Sequence, residues 1–464
     1  MTPQNLVLDA ICATPLTAAQ LDRACTALVS LANRKAEVRE ILRTHKAFTY
    51  FHETLRLLDD ACAVEFARAF EADLDERLRH RALLTEELAW LRSSGLAAES
   101  RVAIIKGLNN ARFYARPEAR WSRDVDLFLP TWDDALTLVA ALRERGYEFD
   151  PAECPWIKAE HRRGRAEYGQ LFLVKRAGDR YSRMDLHFGT YSVSQGEYLR
   201  PSLTDFYEPA QAGDAVNRLN ATGALLVMFA HALSDGYVSL KDANDSVAIA
   251  TSGQEVDWPR LAHELDRHAL RPQAGLLARH LRAAYADVPE VARFAARLDG
   301  AARRSRPGLW RMHDRSWKRR AVVNASYTLR AGWRGGRGLG RSLLSAAQCF
   351  AFYVRRLRAG IGGRTTRERL LLRFLPKADL LNWRLRPDAC PTLIHTGHPV
   401  LAGHVTAGAG TAAAGQERLP GVRVAGRRDT PVVVIGDDVF LCTWDQRILP
   451  QQVAEVNDLL GVGR

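Results

Sequence analysis

From Thr17 onward, apolar residues recur every three or four positions through "LDRACTALVSLANRKAEVREIL", and that spacing predicts amphipathic helix within a helical stretch of residues 1–100. Thr17 and Gln20, three apart, form a capping box for its start. "TEELAWLRSSGL" predicts another helix, closing at Gly95. The period then changes. "RVAIIKG" (101–107) is a short β-branched run ended by glycine, which predicts a buried strand entering a turn. "DVDLFLP" predicts a second strand, stopped by Pro130 because proline has no N–H for the ladder. Thr131 and Asp134 cap the helix "WDDALTLVAALRER", and Gly146 ends it. Two alternating runs around "AGDR" in "GQLFLVKRAGDRYSRMDLHFG" predict an antiparallel hairpin. Helical spacing returns from about Asn217 to Leu298. A further helix, "RSLLSAAQCFAFYVRRLRA", sets Leu343, Leu344, Ala347, Phe350, Ala351 and Val354 on one face, and the tail becomes glycine-rich and then strand-like in "TPVVVIGDDVFLCTWD".

These elements predict an α+β protein with a mixed sheet flanked by helical segments. At 464 residues the chain exceeds a single core. The changes of period divide it into a helical region (1–84), an α/β region (85–216), a second helical region (217–300), a basic segment (301–375) and a small β-containing C-terminal region (376–464). No run of about 18 uncharged apolar residues occurs and no basic start leads into an apolar stretch, so the expected location is cytoplasmic. The seven cysteines are scattered singly, which argues against a disulfide framework or a zinc site.

The candidate chemistry lies in "DVDLFLP". Residues two apart on a strand share a face, with Cα atoms roughly 6.6–7 Å apart, so Asp124 and Asp126 point together while Val125 and Leu127 enter the core. Two adjacent carboxylates repel unless positive charge sits between them, and a divalent cation supplies it. Asp185 stands on a later strand, in "RMDLHFG", with His187 on the same face.

A glycine after a strand, Asp-x-Asp on a second strand and a single Asp on a later one resembles the polymerase-β-like nucleotidyltransferases. The nearest resemblance is to the bacterial group of uncharacterised nucleotidyltransferases, carried by Lys106-Gly107, Tyr114, Arg120, "DVDLFL", Gly146-Tyr147 and Asp185-Leu186-His187, and covering about residues 85–250. The resemblance implies a mixed α/β catalytic domain over 85–216. It further implies that Asp124, Asp126 and Asp185 bind two Mg²⁺ ions, that Asp185 acts as or orients the general base, and that an NTP donates a nucleoside monophosphate to a hydroxyl or phosphate acceptor with loss of pyrophosphate. Surface-polysaccharide and secondary-metabolite pathways are the settings it suggests. Lys106, Gly107, Arg120 and Arg123 are candidate phosphate contacts, with arginine the better fork for two oxygens. The two arginines serve equally well as partners of carboxylates. His187 is a hydrogen-bond partner or a substrate contact.

Net charge is +13, but residues 303–373 hold 19 Lys and Arg against Asp314 and Glu368, leaving the rest of the chain acidic. Interleaved with Trp310, Trp317, Tyr327 and Trp333, these charges suit RNA; beside the apolar face of the following helix they suit the anionic inner face of a membrane; a solvated arginine surface accounts for them as well. His231 and Asp235 read as a surface pair four apart on a helix. His395, His398 and His404 read as loop residues. Two rivals to small-molecule transfer remain at this level: a non-catalytic binding protein on the same fold, and an enzyme that AMPylates protein side chains.

Overall fold

The structure is a computed structural model that describes residues 11–96, 101–149 and 216–334 nearly throughout, shorter stretches between 156 and 208 and between 338 and 350, and four strands between Thr392 and Thr443. Helices flank strands of mixed direction, an α+β architecture. Two compact units form: Met1–Glu99, Ala103–Asp126 and Thr204–Gly335 make the first, and Ser100–Val102, Leu127–Leu203 and Gly336–Arg464 the second. The five segments expected from the sequence are thereby regrouped, with both helical regions in one unit.

In the first unit, the capping box of Thr17 and Gln20 starts the helix Ala18–Leu31. The helical stretch read there is divided by a 3-10 turn at Ala32–Arg34 before Lys35–His45, at Asn33, a weak helix former. Asp60 caps the 33-residue helix Ala61–Ser93 by accepting from the N–H groups of Cys62 and Ala63, and "TEELAWLRSSGL" is only its last part. Phe51, Phe66 and Phe70 lock Phe48–Leu57 onto this helix with ring centroids 5.8–5.9 Å apart. Of "RVAIIKG" only Ala103–Ile104 is a strand, pairing in parallel with Asn217–Leu219. Lys106 already begins a helix, Lys106–Ala111, so Gly107 lies inside a helical turn rather than in a loop after a strand.

Ala221–Asp235 is apolar nearly all round and is buried along most of its length, the mark of a central helix. Leu240–Thr251, Trp258–Arg267, Arg271–Ala284, Pro289–Ala301 and Trp317–Arg334 complete the first unit's helices.

In the second unit the strand order runs Val422–Ala425, Val432–Ile435, Asp438–Thr443, Thr392–His395, Trp156–Glu160, Arg165–Ala177, Arg180–Phe188, then the Leu127–Leu129 half of the strand Val125–Leu129. The expected hairpin is Arg165–Ala177 against Arg180–Phe188, in a register that sets Phe172 opposite Asp185 and Gln170 opposite His187. Thr131 and Asp134 close a reciprocal capping box on Trp132–Glu144, and Gly146 follows in the left-handed region at φ +90°. The C-terminal strands match the β-containing tail read from the sequence. Of the helix expected over 341–359, positions between 339 and 350 are helical and the remainder lies outside the described residues, as do His398 and His404. Among the described residues no helix is long and apolar enough to cross a membrane.

Candidate active site

The strand Val125–Leu129 is buried at all five positions, so both its faces are covered and an acid on it must be matched. Asp126 is 7% exposed; Asp124, one residue before the strand, is half-buried. The Ile105 N–H donates to the Asp126 carbonyl at 2.9 Å, which seats the acids beside the chain leading to Lys106. The Lys106 ammonium donates to Asp126 Oδ1 at 2.6 Å, with the two side chains only 18% and 8% exposed. Lys106 does this from a left-handed backbone, φ +54°, a conformation that costs a residue with a Cβ roughly 1–2 kcal/mol. Next to it, a Cβ on Gly107 would stand 2.3 Å from Ser122 Oγ and 2.8 Å from Ser122 Cβ. Glycine is required there by Ser122, which in turn donates to the Asp124 carbonyl at 2.8 Å. The Lys-Gly pair thus supports both acids, one through an ion pair and one through a serine.

The long helix Ala61–Ser93 holds the segment that precedes them. Arg81 Nη1 donates to the Arg120 carbonyl and His80 Nε2 meets the Arg123 carbonyl, both at 2.8 Å, while Arg77 lies 5.6 Å from the Trp121 ring. More cations gather around the acids. Lys46, also left-handed at φ +54°, has its ammonium pushed below its ordinary value first by burial and then by Lys241, with Asp124 opposing and Arg123 adding to the effect. Burial drives His231 well below its ordinary value, against the pull of Asp235 and with Lys241 and Lys106 adding to it. His231 is therefore neutral at physiological pH, and its 3.5 Å contact with Asp235 is between a neutral ring and a carboxylate.

Arg120 points inward. Its Nε and Nη2 donate to Asp245 Oδ1 and Oδ2 at 2.7 and 3.1 Å, and Nη1 donates to the Trp121 carbonyl at 2.6 Å. Tyr114 Oη donates to Asp245 Oδ1 at 2.7 Å, Asn110 Nδ2 to Oδ2 at 2.9 Å, and Tyr50 Oη meets Tyr114 Oη at 3.3 Å. Burial, the largest single effect, would lower the Arg120 pKa, but Asp245, Tyr50 and Tyr114 together outweigh it and hold the guanidinium above its ordinary value; burial raises Tyr114, with Asp245 adding to it.

In the second unit, Asp185 is 5% exposed and accepts from Arg183 Nε at 2.7 Å, Arg183 Nη2 at 3.3 Å and Gln170 Nε2 at 3.1 Å. Arg183 stacks over Phe172 at 5.1 Å, and His187, 7% exposed, packs its ring 5.2 Å from Tyr191.

Residues 34–286 match the model of a family described as uncharacterised nucleotidyltransferase. The chain belongs to that family. No curated protein and no solved structure matches it.

Within a nucleotidyltransferase the arrangement sorts the sequence candidates. Asp124, Asp126, Lys106, Gly107 and Arg123 come together in the first unit. Arg120, read as a candidate phosphate contact, is instead committed to Asp245; its fork is fully used and buried, leaving it the role of a brace. Gly107 makes its close approach to Ser122. Asp185 and His187 lie together on one strand of the second unit.

Among the described residues no three His, Cys, Asp or Glu side chains converge on a common metal position. Two acids nevertheless fit Mg²⁺, a hard cation that is commonly held by one or two carboxylates while substrate phosphates and water fill the other positions. The Lys106 ammonium on Asp126 marks where positive charge is wanted.

Sequence reasoning missed Lys46, Asp245 as the Arg120 partner, and Arg183. Arg183 carried a signal, lying two residues from Asp185 and so on the same strand face; Asp245, with Lys241 and Asp242, resembled a recurrent element of the family, which did not reveal its partner.

Proposed function

We propose that this nucleotidyltransferase moves a nucleoside monophosphate from an NTP to an acceptor hydroxyl or phosphate, with Mg²⁺, releasing pyrophosphate. The observation that carries the reading is the pairing of opposite charges in the first unit: Asp124 and Asp126 stand among Lys46, Lys106, Arg123 and Lys241. Carboxylates suit the metal, and the surrounding cations suit the triphosphate. Bound Mg²⁺ would neutralise the phosphates and polarise the phosphorus under attack.

In this proposal Asp124 and Asp126 hold the cation, and Lys106 exchanges Asp126 for a phosphate oxygen. Lys46, Arg123 and Lys241 neutralise the remaining phosphate charge. Asp185 enters on sequence order: it takes the acceptor proton, with Arg183 fixing the direction of its carboxylate. His187 contacts the acceptor side. The acceptor belongs to a surface-polysaccharide or secondary-metabolite pathway on the strength of the resemblance.

The test is pyrophosphate release from each of the four NTPs with Mg²⁺, offered small hydroxyl and phosphate acceptors, with Asp124→Asn as control. Release that depends on Asp124 supports the reading. Absence of release with every nucleotide favours the scaffold alternative, and label appearing on protein bands favours AMPylation.

The helix over 339–350 adds a second reading for the basic segment. Leu339, Leu343, Leu344 and Phe350 are 45–53% exposed there, which favours an anionic bilayer over RNA as the partner. Acidic liposomes should then retain the chain at low salt, and RNA should not compete.

A further inference from the structure

Four arginines of the first unit face one cavity. It measures about 140 Å³ and is lined by Arg271, Arg303, Arg330 and Arg334 together with Ser305 and small residues. Arg271 opens the helix Arg271–Ala284, Arg303 follows Pro289–Ala301, and Arg330 and Arg334 lie one turn apart at the end of Trp317–Arg334. None of them belongs to the acid pair or its cationic surround.

The charges do not balance locally. Asp266 meets Arg271 at 3.0 Å and Arg334 at 3.3 Å, so two of the four guanidiniums share one carboxylate. Arg271 is 11% exposed, and its Nε is buried with no hydrogen-bond partner. Burial lowers the Arg271 pKa and the neighbouring Arg303 and Arg334 lower it further against Asp266; burial and Arg334 do the same to Arg330.

The backbone around the cavity is also held away from its relaxed state. Ala269 and Arg303, both lining it, are left-handed at φ +53° and +50°. A Cβ on Gly275 would stand 2.7 Å from the Ser305 carbonyl, so the helix is pressed against the turn that carries Arg303. A buried donor without an acceptor destabilises the fold, and like charges add to that. An anion in the cavity removes both costs.

We infer that this cavity is an anion site that takes a phosphate group, carried by a small solute such as a phosphate monoester or by a lipid headgroup. Guanidinium forks match the paired oxygens of phosphate, and several forks converging from three sides suit a tetrahedral group better than a planar carboxylate. The volume admits several waters, hence a phosphate and part of what bears it.

The test needs neither metal nor NTP. The full chain is titrated with inorganic phosphate and with pyrophosphate at matched ionic strength, by calorimetry and by melting. Saturable binding is expected, weakened about tenfold or more in Arg330→Gln and in Arg334→Gln, since loss of one charge-assisted hydrogen bond changes affinity on that order. Without phosphate both variants should melt at or above the wild type, because repulsion is relieved, which separates lost binding from lost folding. A second arm uses phosphatidylcholine vesicles with and without phosphatidic acid. Phosphate binding with no preference for phosphatidic acid assigns a soluble ligand; retention on phosphatidic acid that needs Arg330 and Arg334, without response to free phosphate, assigns a headgroup. Absence of both, or binding unchanged in both variants, overturns the inference while leaving the transfer reaction at Asp124 and Asp126 as it stands.

Discussion

Arg120 and Asp245 stand 125 positions apart in the chain and meet as a buried fork, Nε to Oδ1 at 2.7 Å and Nη2 to Oδ2 at 3.1 Å, with side chains 4% and 2% exposed. Tyr114 and Asn110 donate to the same carboxylate, so every oxygen of Asp245 is matched twice. The pair ties the segment before the acids to the helix Leu240–Thr251, and it is a brace rather than a substrate contact.

Breaking this brace should cost far more than a surface ion pair. Arg120→Ala leaves a carboxylate buried without its charge partner and should destabilise the chain by about 3–5 kcal/mol in denaturant unfolding. Arg120→Lys should recover little, because an ammonium cannot make the two parallel bonds. Tyr114→Phe, removing one neutral donor, should cost about 1–3 kcal/mol.

The contact between Gly107 and Ser122 makes the second expectation. Gly107→Ala forces a Cβ to 2.3 Å from Ser122 Oγ, so the backbone or the serine must move; overpacking of this kind costs about 1–3 kcal/mol. Since Ser122 donates to Asp124, transfer activity should fall as well. The double variant Gly107→Ala, Ser122→Gly should recover most of the stability, and a thermal melt of all three proteins reads this directly.

Asp124→Asn and Asp126→Asn should both abolish pyrophosphate release yet differ in stability. Asp124→Asn removes repulsion between two carboxylates, so its melting temperature should hold or rise. Asp126→Asn strands the Lys106 ammonium, 18% exposed, without its partner, and should lower stability by roughly 1–3 kcal/mol. Equal melting shifts would show that the ion pair carries no weight.

Asp242 sets a pH dependence. Burial raises its pKa from 3.8 to about 6, ahead of the opposing effects of Lys241 and the Ser239 hydrogen bonds. A carboxyl that binds its proton more tightly when folded contributes most stability below about pH 4, where both states are protonated. That contribution declines as pH rises to about 6 and is constant above. About two pKa units correspond to roughly 3 kcal/mol at most. Asp242→Asn keeps an acceptor for Ser239 and carries no charge, so unfolding free energies should shift in its favour between pH 4 and 6. A difference that stays flat over that window would exclude Asp242 as the titrating group.

The hydrophobic period and short-range capping were enough to determine much of the local structure. Thr17 with Gln20, Thr131 with Asp134, and the two runs about "AGDR" each specify a start or a turn through partners three or four residues apart, and all three formed as read. The family was legible too, since motif order is a property of the chain alone. Tertiary structure decided what depends on distant partners. Arg120 and Arg123 are the same residue type three positions apart, yet Arg120 turns inward because Asp245, Tyr114 and Asn110 wait there, and Arg123 is exposed. Lys106 ended a strand in the pattern but starts a helix, its left-handed backbone set between its ion pair to Asp126 and the close approach of the neighbouring Gly107 to Ser122. Lys46 and Arg271 carried no local mark, and Arg303, Arg330 and Arg334 stood out only as part of a basic run, because one charged residue looks like another until folding brings it out of water and beside a like charge.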